Sequence, residues 1–142
     1  MGTIYPAPEL SDLHQILDKN DLPTSDLADL DLNHFFSCGE SPDIKGVVGV
    51  EVYGSYGLLR SLAVDPRGQG QGVGKALLEH LYAHARSVGI SDLYLLTETA
   101  ETYFERQGFE YVSRALAPEV IKQTREFSSL CPDSAAVMRR TL

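Results

Sequence analysis

The run from Leu58 to Val88 constrains the fold most. Leu58 to Val64 reads as an apolar strand, and the loop that follows holds Gly68, Gly70, Gly72 and Gly74. Val73, Leu77, Leu81, Ala85 and Val88 then recur at helical spacing, and Gly89 supplies the stop. Glycines let backbone approach a ligand closely and reach positive φ. Their N–H groups can turn toward an anion, and the following helix adds its unpaired N-terminal N–H groups and the positive end of its dipole. The segment Gln69, Gly70, Gln71, Gly72, Val73, Gly74 and Lys75 therefore reads as a backbone cradle for the phosphates of a nucleotide-type cofactor, with Arg67 and Lys75 adding charge. A Rossmann loop fits poorly, because G-x-G-x-x-G spacing does not precede this helix. A Walker A loop also fails, because no Gly-Lys-Ser/Thr follows.

Around this unit the pattern predicts a short strand at Thr3 to Tyr5, a helix from Glu9 to Lys19 and a second short helix from Ser25 to Leu32. His34 to Cys38 and Ile44 to Tyr53 read as strands. The latter forms a hairpin with Leu58 to Val64 through Gly54-Ser55-Tyr56-Gly57. Pairing Tyr53 with Leu58 sets Glu51 opposite Arg60. It puts Val48, Val50 and Val52 on the other face with Leu59, Ser61 and Ala63. Further on, the pattern predicts a strand at Leu93 to Thr97, a helix at Thr99 to Gln107 and a strand at Phe109 to Ser113. A helical turn at Pro118 to Gln123 and a last strand at Ala135 to Arg139 complete the reading. The expectation is one α/β domain over residues 1–142, a single mixed sheet with helices on both faces.

The formal net charge of −8 argues against nucleic acid and anionic membrane surfaces as partners. It leaves room for a locally basic site. Two cysteines, Cys38 and Cys131, make no disulfide framework, and no C-x-x-C or H-E-x-x-H metal spacing occurs. His80 and His84 share a helix face but lack a third ligand, so no metal is expected. There is no secretory pattern at the N-terminus and no run of about 18 apolar residues, which predicts a cytoplasmic protein.

The glycine loop resembles motif A of the GNAT superfamily of acetyl-CoA-dependent acetyltransferases, Gln/Arg-x-x-Gly-x-Gly/Ala, with Gln69, Gly72 and Gly74 at its fixed positions. The preceding Leu62-Ala63-Val64 with Pro66 matches as well, and Glu105-Arg106-Gln107-Gly108-Phe109 is similar to the family's second signature. The resemblance covers nearly the whole chain. It implies the GNAT fold, with a mostly antiparallel sheet, and acetyl-CoA as co-substrate. The pantetheine arm would lie along Leu62, Ala63 and Val64, the pyrophosphate on Gln69 to Lys75, and the strands at Leu58–Val64 and Leu93–Thr97 would splay apart. Dimers are common in the superfamily.

Acetyl transfer needs an amine to lose a proton, a polarised thioester carbonyl and a proton for the departing thiolate. Glu51 is the first candidate base, or else simply the cross-strand partner of Arg60. Arg60 as a free cation would suit a substrate bearing a carboxylate, phosphinate or arsenate-like group. Where the resemblance implies a tyrosine acid, this chain has Phe104, which would line the cofactor site, and tyrosine comes one residue earlier, at Tyr103. One step turns a helix by about 100°, so Tyr103 faces elsewhere. Tyr103, Tyr53 and Cys131 are the candidate acids, and Thr97 replaces the family's usual asparagine. Leu59 to Val64, Leu95 to Glu101 and the polar tail Ile121 to Ala135, including Cys131, resemble a bacterial GNAT group named for arsenic resistance. Arg60, Glu51, Thr97 and Cys131 are then candidate substrate contacts. The implied reaction is N-acetylation of a small amine, amino-acid-like or arsenical. The alternatives are a protein N-terminal or lysine acetyltransferase and a non-catalytic acyl-CoA-binding module.

Overall fold

Apolar alternation along the strands is resolved by one seven-stranded sheet in the computed structural model of the chain, which describes residues 3–142. The strands are β1 (Ile4–Pro6), β2 (Phe35–Cys38), β3 (Gly46–Tyr53), β4 (Tyr56–Val64), β5 (Asp92–Thr97), β6 (Glu110–Tyr111) and β7 (Ala136–Thr141). Their order is β1-β2-β3-β4-β5-β7-β6, and every neighbouring pair is antiparallel except β4 and β5. The helices are α1 (Leu10–Lys19), α2 (Val73–Ser87), α3 (Glu101–Arg106) and α4 (Glu119–Lys122).

Strand parity sends alternate residues to opposite faces. Phe36, Val48, Val50 and Leu59 pack on α2 through Val73, Leu77, Leu78, Leu81 and Ala85, and Phe104 of α3 joins the same cluster. On the opposite face Phe35, Val47 and Ala63 meet Leu13, Ile16 and Leu17 of α1. Leu58 and Tyr94 meet Ile121 of α4 on that face, together with Phe127 and Val137. The stripe of α2 is as predicted except at its end: the helix stops at Ser87 and Val88 is 37% exposed, while Tyr82 is buried instead. Leu81 is fully buried. Leu81→Ala is expected to cost about 2–5 kcal/mol, read as a lowered urea midpoint.

The β3–β4 hairpin departs from the predicted register. Tyr53 pairs with Tyr56 across a two-residue turn, not with Leu58 across four. Gly54 takes φ 63°, the positive value that the first position of a tight hairpin turn needs. Glu51 therefore lies opposite Leu58, and Arg60 opposite Gly49. The shift is two residues, so both stay on the predicted face and meet diagonally. A bulge follows: Val47 pairs with Ala63 but Gly49 with Arg60, and Ser61 sits at φ 60°. One extra residue inverts the alternation. Leu62 and Val64 consequently turn to the α2 side and Ala63 to the α1 side, contrary to the expected placement of Ser61 and Ala63 with Leu59.

Smaller differences concern segments too short to bury a full face. The helix expected at Ser25–Leu32 is two 3-10 turns, Leu27–Asp29 and Leu32–His34. The strand expected at Phe109–Ser113 is the two-residue β6. A wide π turn over Glu126–Leu130 was not foreseen.

Candidate active site

β4 and β5 pair only from Tyr56 with Asp92 to Leu58 with Tyr94, although β4 runs on to Val64 and β5 to Thr97. Beyond Leu58 the sheet is open between two parallel strands. Two cavities occupy this gap, and both are lined by Asn20, Leu62, Ala100 and Phe104. They are thus two halves of one cleft.

The first half, about 510 Å³, is bounded by Leu62, Ala63 and Val64, the glycine loop and the start of α2. Gly70 (φ 79°) and Gly72 (φ 76°) are both left-handed, and Gly72 is the N-cap of α2. That conformation is the reason for glycine at both positions. The first helical bond runs from Ala76 N–H to Gly72 O at 3.0 Å. It leaves the N–H groups of Val73, Gly74 and Lys75 without helical acceptors at the cavity wall. Gln69, Gly70, Gly72, Val73, Gly74, Lys75 and Phe104 all line this half, and Gln71 does not. Arg67 also turns away: its Nε donates to Asp65 at 2.9 Å and its guanidinium faces Asp43. Tyr103 lines this half too, and a Cβ on Gly74 would lie 2.8 Å from its hydroxyl. Burial raises the Tyr103 pKa.

The second half, about 490 Å³, is bounded by the end of α1, β4, β5 and the segment leading to β7. Its polar lining includes Asp21, Arg60, Thr97, Glu98, Glu126 and Cys131. Arg60 is only 2% exposed and sits in a nest of carboxylates. Its two terminal nitrogens grip Asp26 at 2.6 and 2.8 Å, Nη1 also donates to Glu51 at 2.9 Å, and Nε lies 3.3 Å from Glu126. The Ser61 hydroxyl, brought round by the bulge, accepts from Nε at 3.1 Å. A guanidinium this enclosed by carboxylates stays ionised. Of the two readings of Arg60, a cation for the substrate or the partner of Glu51, the structure shows the pairing, with Asp26 and Glu126 added.

Glu51 is placed differently from the base reading. One carboxylate oxygen accepts from Arg60 and the other from the Tyr53 hydroxyl. Glu51 and Tyr53 lie behind Arg60 and border a separate depression with Asp29 and His34. Thr97 is on the cavity wall, but its hydroxyl accepts the Ala100 N–H at 3.0 Å in the turn that leads into α3. Cys131 lines the cavity, and burial, followed by Glu126 and Glu98, pushes its thiol up to about 12, so it stays protonated at neutral pH. Tyr103 is not among the residues around this half.

Two residues were missed. Asp26 had no distinguishing signal among the aspartates of residues 21–31. Glu126 did: it is the one acidic residue between Ile121 and Cys131, in a stretch singled out as polar. It is 4% exposed and still reaches the cavity. The histidine reading also gains a contact, since His34 Nδ1 and His84 Nε2 are 2.8 Å apart. Burial, then the charges of His34 and His80, lowers the His84 pKa. No group of three potential metal ligands occurs among the described residues, and none of their helices is long and apolar enough to cross a membrane.

A sheet split between two parallel strands, with a glycine-rich cradle on one side and a polar cavity on the other, can hold two molecules that meet at one gap. The chain belongs to the GNAT acetyltransferases: the acetyltransferase (GNAT) domain family matches residues 31–111, more than half of it. It is 33% identical over 84 residues to an amino-acid acetyltransferase of Neisseria meningitidis, covering 59% of this chain and 19% of that protein. It is 28% identical over 115 residues to an IAA acetyltransferase of Azospirillum brasilense, covering 77% and 69% respectively. The chain thus spans about a fifth of the length of the first of these relatives. Among solved structures it superposes on N-acetylglutamate synthase of Neisseria gonorrhoeae, complexed with coenzyme A and N-acetyl-glutamate, with a TM-score of 0.82 at 22% identity. That match covers 99% of this chain and 35% of the other.

Proposed function

We propose that this chain transfers the acetyl group of acetyl-CoA to the amine of a small molecule. The observation that carries the reading is the meeting of the two half-clefts at Leu62 and Phe104, in the gap between β4 and β5. The free edge of β4 offers backbone groups to an extended pantetheine arm, as an added strand would use them. The left-handed glycines and the open N–H groups of α2 suit its pyrophosphate, with Lys75 beside them. Coenzyme A bound to the gonococcal neighbour supports the same assignment. The second half has the size of a small-molecule site, which favours a metabolite over a protein substrate.

The charge of that half points away from the anionic acceptor that a free Arg60 implied. Asp26 and Glu51 outweigh the single guanidinium, and Asp21, Glu98 and Glu126 add negative charge at the wall. An acceptor of neutral or positive net charge fits this field, including an amino acid with an uncharged or basic side chain. Phe104 provides no proton at the junction, and burial raises the pKa of Tyr53, Tyr103 and Cys131. With no hydroxyl on Phe104, the departing thiolate can take its proton from the amine nitrogen or from water.

Phe104 also favours a second reading, an acyl-CoA-binding module without turnover. An acetyl-CoA turnover assay with free-CoA detection separates the two. The panel is L-glutamate, L-methionine, 1,5-diaminopentane, an amino-acid arsenical and a peptide with a free N-terminus. The expected result is turnover with kcat/KM for 1,5-diaminopentane at least about tenfold above that for L-glutamate, the ratio given by one unfavourable charge contact of about 1.4 kcal/mol. A preference for L-glutamate would refute the charge argument. Coenzyme A binding without turnover would favour the module, and turnover of the peptide alone a protein acetyltransferase.

A further inference from the structure

We infer that Glu126, and not Glu51, is the catalytic base that takes the proton of the acceptor amine. The inference rests on the acetyltransferase reading above and assigns the residue that performs its first step.

Three carboxylates surround Arg60, and their geometry sets one apart. Both oxygens of Asp26 are held by the terminal guanidinium nitrogens. Both oxygens of Glu51 are held, by Arg60 and by Tyr53. Glu126 faces Nε of Arg60 at 3.3 Å through one oxygen, and among the described residues no side-chain hydrogen bond engages its carboxylate. It is also the one of the three on the wall of the acceptor half-cleft. A carboxylate that borders the cavity and keeps lone pairs free can accept a proton from a bound amine, directly or through one water.

Its position is fixed from two sides. The wide π turn that carries it also buries Phe127 against Leu58, Tyr94 and Ile121, and the Phe127 N–H donates to the Thr124 hydroxyl at 3.3 Å. Arg60, anchored by Asp26 and Glu51, presents Nε from the sheet. The carboxylate is therefore held by packing of its neighbours and by Arg60 through one oxygen, while the other oxygen stays available, as pre-organisation for catalysis requires.

The charged groups facing Glu126 are Arg60 on β4, Glu51 on β3 and Asp26 before the first 3-10 turn, with the Cys131 thiol following on its own segment. Burial pushes its carboxyl up, Arg60 pulls it down and the two other acids push it up again, leaving it at about 7. A base with a pKa near the working pH is the most effective one.

The step balances as follows. The ammonium form of the acceptor gives one proton to the Glu126 carboxylate. Its nitrogen, now neutral, forms the bond to the acetyl carbon while the carbon–sulfur bond breaks and its electron pair leaves on sulfur. The second proton on nitrogen neutralises that thiolate. Glu126 returns its proton to solvent.

The test compares the wild type with Glu126→Gln, which preserves shape and removes the basic oxygen. With the best substrate of the panel above, wild-type kcat/KM should fall tenfold per pH unit below about 7. Glu126→Gln should lose that limb and about 10²–10⁴-fold in kcat, with coenzyme A affinity unchanged by calorimetry. Full turnover and an intact acid limb in Glu126→Gln would overturn the assignment while leaving the acetyltransferase reading standing. Absence of wild-type turnover with every amine would instead overturn that reading. An independent arm needs neither an acceptor nor a folded variant: NMR of wild-type protein carrying ¹³C at the glutamate carboxyls should show one resonance titrating near 7. All resonances titrating in the ordinary carboxylate range would overturn the proposal.

Discussion

Replacing Arg60 by methionine is expected to destabilise the protein by about 3–5 kcal/mol, the range for a buried ion-pair network that loses one partner. The side chain of Arg60 has no solvent exposure, and Asp26, Glu51 and Glu126 converge on it within 3.3 Å. Methionine fills similar volume, so loss of packing is minor. What remains is three buried carboxylates with no cation. Glu126, already raised by burial, would lose the guanidinium that pulls it down and so rise further above its unfolded value. A carboxyl shifted in that direction favours the fold most below its unfolded pKa, and this contribution is lost as pH rises through the folded value. The deficit of Arg60→Met should therefore be smallest near pH 4 and grow toward pH 8. Urea unfolding of variant and wild type across that range measures it. A constant difference would mean that Arg60 stabilises by packing alone. Adding Asp26→Asn should recover part of the loss at pH 8, because it removes one of the stranded charges.

The second large effect concerns the cofactor half. Gly72→Val is expected to weaken coenzyme A binding by about 10²-fold or more, because the loss of two charge-assisted hydrogen bonds to phosphate amounts to roughly 3 kcal/mol or above. Gly72 caps α2 at φ 76°, which a β-branched side chain resists strongly. Rotation to negative φ would swing the first N–H groups of α2 off the cavity wall. The cost to folding should be much smaller, about 1–2 kcal/mol. Gly70→Ala is the control. Gly70 has φ 79°, and nothing lies within 4 Å of where its Cβ would stand, so it tests backbone strain without steric conflict. Calorimetric titration with coenzyme A and thermal melts of each variant separate binding from stability. Unchanged affinity in Gly72→Val would remove the loop from the cofactor site.

The strand, glycine loop and helix from Leu58 to Ser87 are readable because each part is a local signal. Apolar periodicity builds α2, glycines permit the left-handed turns, and an open helix N-terminus follows from the backbone alone. The GNAT resemblance assigns Phe104 to the position four residues before Gly108, and Phe104 lines both halves of the cleft. Glu51 and Arg60 are partners as expected although the register is two residues off, since an even shift leaves both on the same face.

The sequence by itself determined the strand, loop and helix start from Leu62 to Lys75, one continuous stretch that depends on local backbone rules, whereas Asn20, Ala100, Tyr103, Phe104 and Gln107 close that half from elsewhere in the chain. Only the tertiary structure decided the acceptor half. There the bulge at Ser61 sends Leu62 toward the cleft, Asp26 and Glu51 close around Arg60, and Glu126 arrives from the far end of the chain. Sequence spacing carries no record of contacts between residues 34 positions apart, as Asp26 and Arg60 are, or farther. Which carboxylate keeps free oxygens depends on how all of them pack around one buried charge.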